Sequence, residues 1–190
     1  MAKLFGNLNL VLLIGLVLAI VVMMGFSETA PVDVNSVFRW LHLFFGVLWI
    51  GLLYYLNFVQ VPTMPAIPAE QKGAISGYIA PKVLFYFRWA ALLTVITGLV
   101  IAYVNGYVHQ ALAFRGEGNV NLIGLGMWMA IIMFLNVWVI IWPAQKKILG
   151  IVTASDEEKA KAAPRALAAS RINTLLSIPM MYCMVSANLG

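Results

Sequence analysis

Arg39-Trp-Leu-His42-Leu-Phe-Phe-Gly46-Val-Leu-Trp-Ile-Gly51 is the stretch that decides how this chain folds. Arg39 and His42 stand at its start, and only apolar side chains and glycine follow them. Read outward, the apolar character extends from Val37 to Val61. At 1.5 Å rise per residue such a run exceeds the ~30 Å of hydrocarbon in a bilayer. Four more runs of comparable character are Asn7–Phe26, Val83–Asn105, Val120–Pro143 and Ile172–Asn188. The last is the shortest and carries Pro179, which predicts a kink. The fold class expected is all-α: one membrane domain over residues 1–190, a bundle of five transmembrane helices. Composition agrees, since 63% of the 190 residues are hydrophobic and only 10% charged. The one cysteine, Cys183, lies in an apolar run, so no disulfide forms within the chain.

Charge sets the expected orientation. With the N-terminus inside, one side of the membrane receives Lys3, Lys72, Lys82, Lys146, Lys147, Lys159, Lys161, Arg165 and Arg171, and Arg88 lies toward it. The other side receives only Arg39 and Arg115. The positive-inside rule then predicts N-terminus inside and C-terminus outside, in a cell inner (cytoplasmic) membrane. The same rule accounts for the formal net charge of +5 without nucleic acid. A secretory signal over the first run is disfavoured, because the run is too long and Glu28 spoils the cleavage pattern in Ser27-Glu-Thr-Ala30.

The inner segment Pro62–Lys82 holds Pro62, Pro65, Pro68 and Pro81 and is expected to be irregular and interfacial. The inner connector 144–171 is expected to be a solvated helix broken at Pro164. Ser155-Asp-Glu-Glu158 has the form of a capping box at its start.

An ionisable group at membrane depth is costly and points to function. His42 falls about five residues into the second helix, roughly 7–8 Å deep, in the outer third of the bilayer. Arg39 at i−3 and Gly46 at i+4 share its face. One reading is a b-type haem: the imidazole binds iron, the glycine makes room for the flat ring, and the arginine pairs with a propionate. The other is a histidine hydrogen-bonded to a neighbouring helix, with Gly46 and Gly51 allowing close packing. His109 is expected on the same side and is a candidate second axial ligand. So are Met23, Met24, Met127, Met129, Met133 and Met184, although methionine in an apolar helix usually packs. Arg88, Arg171, Asn173 and Asn136 are candidates for holding an anion or substrate, or else for snorkelling and interhelical hydrogen bonds. Asn57 and Gln60 lie near the inner end of the second helix and need partners too. No span carries an acid, which argues against a carboxylate proton path. GxxxxGK[ST], GxGxxG, HExxH and CxxC patterns do not occur, and no catalytic residue is assigned.

Four stretches together carry a resemblance. They are Trp40–Gly51, Pro81-Lys-Val-Leu-Phe-Tyr-Phe-Arg88-Trp89 with Thr97-Gly98, Asn136-Val-Trp-Val-Ile-Ile-Trp142-Pro143-Ala-Gln145-Lys-Lys147-Ile-Leu-Gly150, and Ser170-Arg171-Ile-Asn173-Thr-Leu-Leu-Ser-Ile-Pro179-Met. They are similar to the N-terminal domain of membrane-bound urate oxidase (urate hydroxylase). The resemblance implies a membrane oxidoreductase that passes electrons to a c-type cytochrome. This sequence departs from the pattern: it has no CxxCH, and it reads Ala187-Asn-Leu-Gly190 where the family often has a histidine. The function expected is a redox protein in the lipid bilayer that binds one haem b near the outer face and serves a cytochrome c or another membrane redox subunit. The alternative is a haem-free subunit that anchors a larger complex.

Overall fold

The computed structural model describes residues 5–187, all helix, turn and loop, with no strand among them. Lys3, Asn188 and Leu189, which figure in the orientation, the last span and the departure from the family pattern, lie outside the described residues. The chain divides into two compact units, Met1–Val37 and Phe38–Gly190. The first contains helix α1, Leu8–Gly25, which Asn7 caps by accepting a hydrogen bond from the Leu10 amide at 3.2 Å. None of its residues is buried. Asp33 and Ser36 then accept each other's backbone N–H, at 2.7 and 3.0 Å, and so start the next helix.

That helix is α2, Val34–Ala66, followed by α3, Ala69–Val104, the short α4, Val108–Leu112, and α5, Asn119–Ile148. The last is α6, Asp156–Ser186. α1, α2, α3 and α5 are long and apolar enough to cross a membrane. α6 is not among them: Arg171, Asn173, Thr174 and Ser177 dilute its apolar half.

The proline-rich inner segment is not irregular. α2 runs on to Ala66 and α3 begins at Ala69, so the expected limits 37–61 and 83–105 were too short on that side. α5 likewise continues past Pro143 to Ile148, shortening the connector. The reason is local and recurs three times. A wide turn precedes each of Pro62, Pro81 and Pro143: Tyr55–Gln60, Ile75–Ile79 and Asn136–Ile141. In each, the amide just before the proline bonds the carbonyl five residues back: Val61 to Leu56, Ala80 to Ile75 and Trp142 to Val137. Shifting the bond by one residue accommodates the missing proline N–H and its ring, so the helix passes the proline instead of ending there. Pro164 does not break α6 either, because it is exposed and the carbonyl it leaves unpaired is within reach of water. The capping box forms as expected: Ser155 Oγ accepts from the Glu158 amide and Glu158 Oε2 from the Ser155 amide.

Within the second unit α5 and α6 run antiparallel. Gly126 faces Cys183, Met133 and Asn136 face Asn173, and Ala144 clusters with Ala162 and Ala166. Trp49 and Leu53 of α2, Phe87 of α3, and Met133 and Val137 of α5 fill the centre, fully buried. α4 is held on α5 by the Trp128 indole, which donates to the Leu112 carbonyl at 2.9 Å. Gly124 allows that approach, since a side chain there would fall on the Ala111 backbone.

Candidate cofactor site

His42 sits half-buried where α2 meets α3. Its Nδ1 lies 2.9 Å from the Thr94 carbonyl oxygen. A carbonyl only accepts, so Nδ1 carries a proton, and in the neutral imidazole Nε2 keeps its lone pair. Thr97 Oγ1, 3.2 Å from the same Nδ1, gives its own proton to the Leu93 and Thr94 carbonyls and also acts as an acceptor. Nε2 has no hydrogen bond among the described residues. The backbone carbonyl fixes the orientation of the ring and leaves Nε2 as the nitrogen turned away from that bond. Gly98 makes it possible: a Cβ there would lie 2.9 Å from His42 Cε1 and 3.2 Å from Nδ1.

Cavities flank the ring. One of about 520 Å³ is lined by Arg39, Trp40, His42, Gly98, Ile101, Tyr107, Ile123, Met127 and Met184. A second of about 440 Å³ lies deeper along the α2–α6 groove and is lined by His42, Gly46, Trp49, Gly51, Met180 and Met184. Both fall in the size range of cofactor sites, ~300–1,000 Å³. Their walls are apolar, and Arg39 at the larger one is exposed. The Trp49 indole N–H is buried with no hydrogen-bond partner among the described residues.

The α3–α4 turn brings in Tyr107. Gly106, at φ +75°, takes the left-handed conformation that closes the end of α3. The Tyr107 amide then bonds the Ala102 carbonyl at 3.1 Å. Burial pushes the Tyr107 phenol above its ordinary range, partly offset by the Arg39 guanidinium, so it stays a protonated hydrogen-bonding group.

The structure therefore places Arg39 and His42 on one cavity and Gly46 on the next, where Gly46 also faces the Thr94 methyl at 3.8 Å. His109 is exposed on α4 and lines neither cavity. Of the methionines, Met127 and Met184 line the His42 cavity, while Met133 is in the core and Met23 and Met24 are in the first unit. Met129 is also buried in the core.

The four candidate anion-binding residues are not brought together. Arg88 packs its guanidinium on the Trp142 ring, 3.9 Å from the centroid, with Phe85 beside it. Asn136 Nδ2 donates to Asn173 Oδ1 at 2.9 Å, and Asn173 Nδ2 donates to the Met133 carbonyl at 2.9 Å. Arg171 is exposed on α6. The amides thus form an α5–α6 clamp.

Sequence reasoning missed Thr94, Thr97, Gly98 and Tyr107 as parts of the His42 site. The available signal was Thr94-Val-Ile-Thr97-Gly98, a small and hydroxyl-bearing face in an otherwise apolar helix.

Residues 110–190 match a family model described as urate oxidase N-terminal, the family that the chain resembles through its motifs. The matched residues include Met127, Asn136, Arg171, Asn173 and Met184, but not Arg39 or His42. Comparisons with curated proteins and with solved structures gave no match.

Proposed function

We propose that this chain is a membrane redox protein that holds one b-type haem through His42 near the outer face and passes electrons to a c-type cytochrome. The observation that carries this reading is how His42 is held: Nδ1 on the Thr94 carbonyl at 2.9 Å, Nε2 turned away from that bond, and a 520 Å³ cavity beside the ring. The residues present fit the group. His42 would supply a nitrogen ligand, and Met184 or Met127 a thioether. Arg39 would pair with a propionate and Tyr107 donate a hydrogen bond at the same end. Apolar walls would exclude water from the ring faces. The haem, when bound, supplies one-electron transfer; the chain orients it, sets its polarity and holds its charged edge toward water.

The reading includes five spans with the N-terminus inside. Its support is that α6, though less apolar, lies against α5 from Ala144 to Gly126, so whatever α5 crosses α6 crosses beside it. With the N-terminus inside, as the positive-inside rule predicts, the His42 cavity would face outside, where a cytochrome c would dock, and the lysine-rich end inside. The match to the urate oxidase N-terminal family supports a redox setting. The test is haem content of protein purified in detergent. Bound haem near one per chain supports the reading. Colourless protein that purifies in fixed ratio with partner subunits would favour the anchoring role instead.

A further inference from the structure

A further cavity, of about 330 Å³, lies at the opposite end of the second unit, between α2, α3, α5 and α6. Gln60 is eighteen residues beyond His42 on α2, about 27 Å at helical rise, so this is a separate site. Three of the four stretches that carry the family resemblance meet on it: Leu84 and Phe87 from one, Gln145 from another and Ser170 from the third.

Its polar chemistry is unbalanced. Gln60 Oε1 is buried with no hydrogen-bond partner among the described residues. Ser170, also on the wall, is held from behind by Asn57, whose Nδ2 donates to Ser170 Oγ at 2.8 Å and to the Leu53 carbonyl at 2.9 Å. A buried carbonyl acceptor without a donor is costly, and on a cavity wall it calls for a ligand that donates. Among the described residues no charged side chain lines the cavity, which suits a neutral ligand. Phe87, Leu84 and Ile141 give it apolar walls. Val61 and Leu167, which also line it, are exposed, so an apolar tail can leave the cavity past them.

We infer that this cavity binds the head group of a membrane quinol, whose hydroxyl donates to Gln60 Oε1 while its ring lies against Phe87 and its tail leaves past Val61 and Leu167. The oxidised quinone has no hydroxyl and cannot make that bond. The inference is independent of the haem at His42 and assigns no electron transfer between the two sites.

The experiment is thermal unfolding of the purified full chain in detergent, titrated with a short-chain ubiquinol under argon and, separately, with the matching ubiquinone. The expected result is a saturable rise in Tm. Half-saturation should come at about tenfold lower concentration for the quinol, the worth of one hydrogen bond to an otherwise unmet buried acceptor. Gln60→Leu should lose that preference while unfolding no earlier than the parent without ligand, because it removes an unpaired acceptor. No shift with either compound, equal affinity for both, or a preference that survives in Gln60→Leu would overturn the proposal. Should Gln60→Leu fail to fold, the quinol-to-quinone ratio on the parent chain still decides.

Discussion

Gly98→Ala is the sharpest test of how His42 is held. The new methyl would sit 2.9 Å from Cε1 and 3.2 Å from Nδ1 of the imidazole, closer than carbon atoms in contact settle, ~3.5–4.0 Å. The ring cannot back away freely, because its Nδ1 is tied to the Thr94 carbonyl at 2.9 Å on the same helix. Either the ring moves by several tenths of an ångström and that bond lengthens, or α2 and α3 part. Losing the bond costs about 0.5–1.5 kcal/mol, and overpacking typically costs about 1–3 kcal/mol. Against this, alanine is the better helix former by about 1 kcal/mol. The net expectation is a loss of about 1–3 kcal/mol, read as a lower Tm in detergent. A displaced or rotated ligand should also lower haem affinity by about 10–100-fold, the usual effect of disturbing a ligand's supporting bond. Gly51→Ala is the control, since a Cβ there meets nothing within 4 Å. If Gly98→Ala matches both the parent and Gly51→Ala in Tm and in haem content, the packing account of His42 is wrong.

Other outcomes follow from the same physics. Asn173→Ala strips a partner from both Asn136 and the Met133 carbonyl inside the α5–α6 contact. It should therefore destabilise by about 1–3 kcal/mol in equilibrium unfolding, and by more than Asn136→Ala. Gly124→Ala would press on the Ala111 backbone, which cannot yield as a side chain would. α4 should then undock, seen as faster amide exchange in Val108–Leu112. Arg88→Ala removes the guanidinium from the Trp142 face, 3.9 Å away, for a loss of about 0.5–2 kcal/mol. Lys147 and the Ser155 amide hold the Glu158 carboxyl below its ordinary value. Its stabilising effect is therefore present above the unfolded value of 4.5 and is lost as pH falls through the lower folded value. Glu158→Gln should flatten the acid limb of Tm against pH.

The apolar runs made the helical class and the four strongest spans readable, because hydrocarbon thickness sets their length. Helix ends on the inner side were not readable. Pro62, Pro81 and Pro143 look like terminators, yet one wide turn before each lets the helix continue. Nothing in the local pattern announces a bond shifted by one residue. Arg39 and His42 could be placed on one face from spacing alone. Their partners could not, because Thr94 and Gly98 meet His42 across more than fifty residues of sequence, and only packing of α2 on α3 selects them. His109 illustrates the reverse case: expected at the same membrane side, it sits exposed on α4, while Tyr107, two residues earlier, is turned onto the cavity. Asn136 and Asn173 read as possible anion ligands because isolated amides are chemically ambiguous. Their mutual hydrogen bond resolves them into a helix clamp.

Whether His42 holds a haem can be read directly. The most direct measurement is the reduced-minus-oxidised absorption spectrum of the purified chain beside His42→Ala, with haem quantified as the pyridine haemochrome. A b-type band near one haem per chain is expected in the parent, and its loss in the variant. A parent without the band, or a band of undiminished size in His42→Ala, would contradict it.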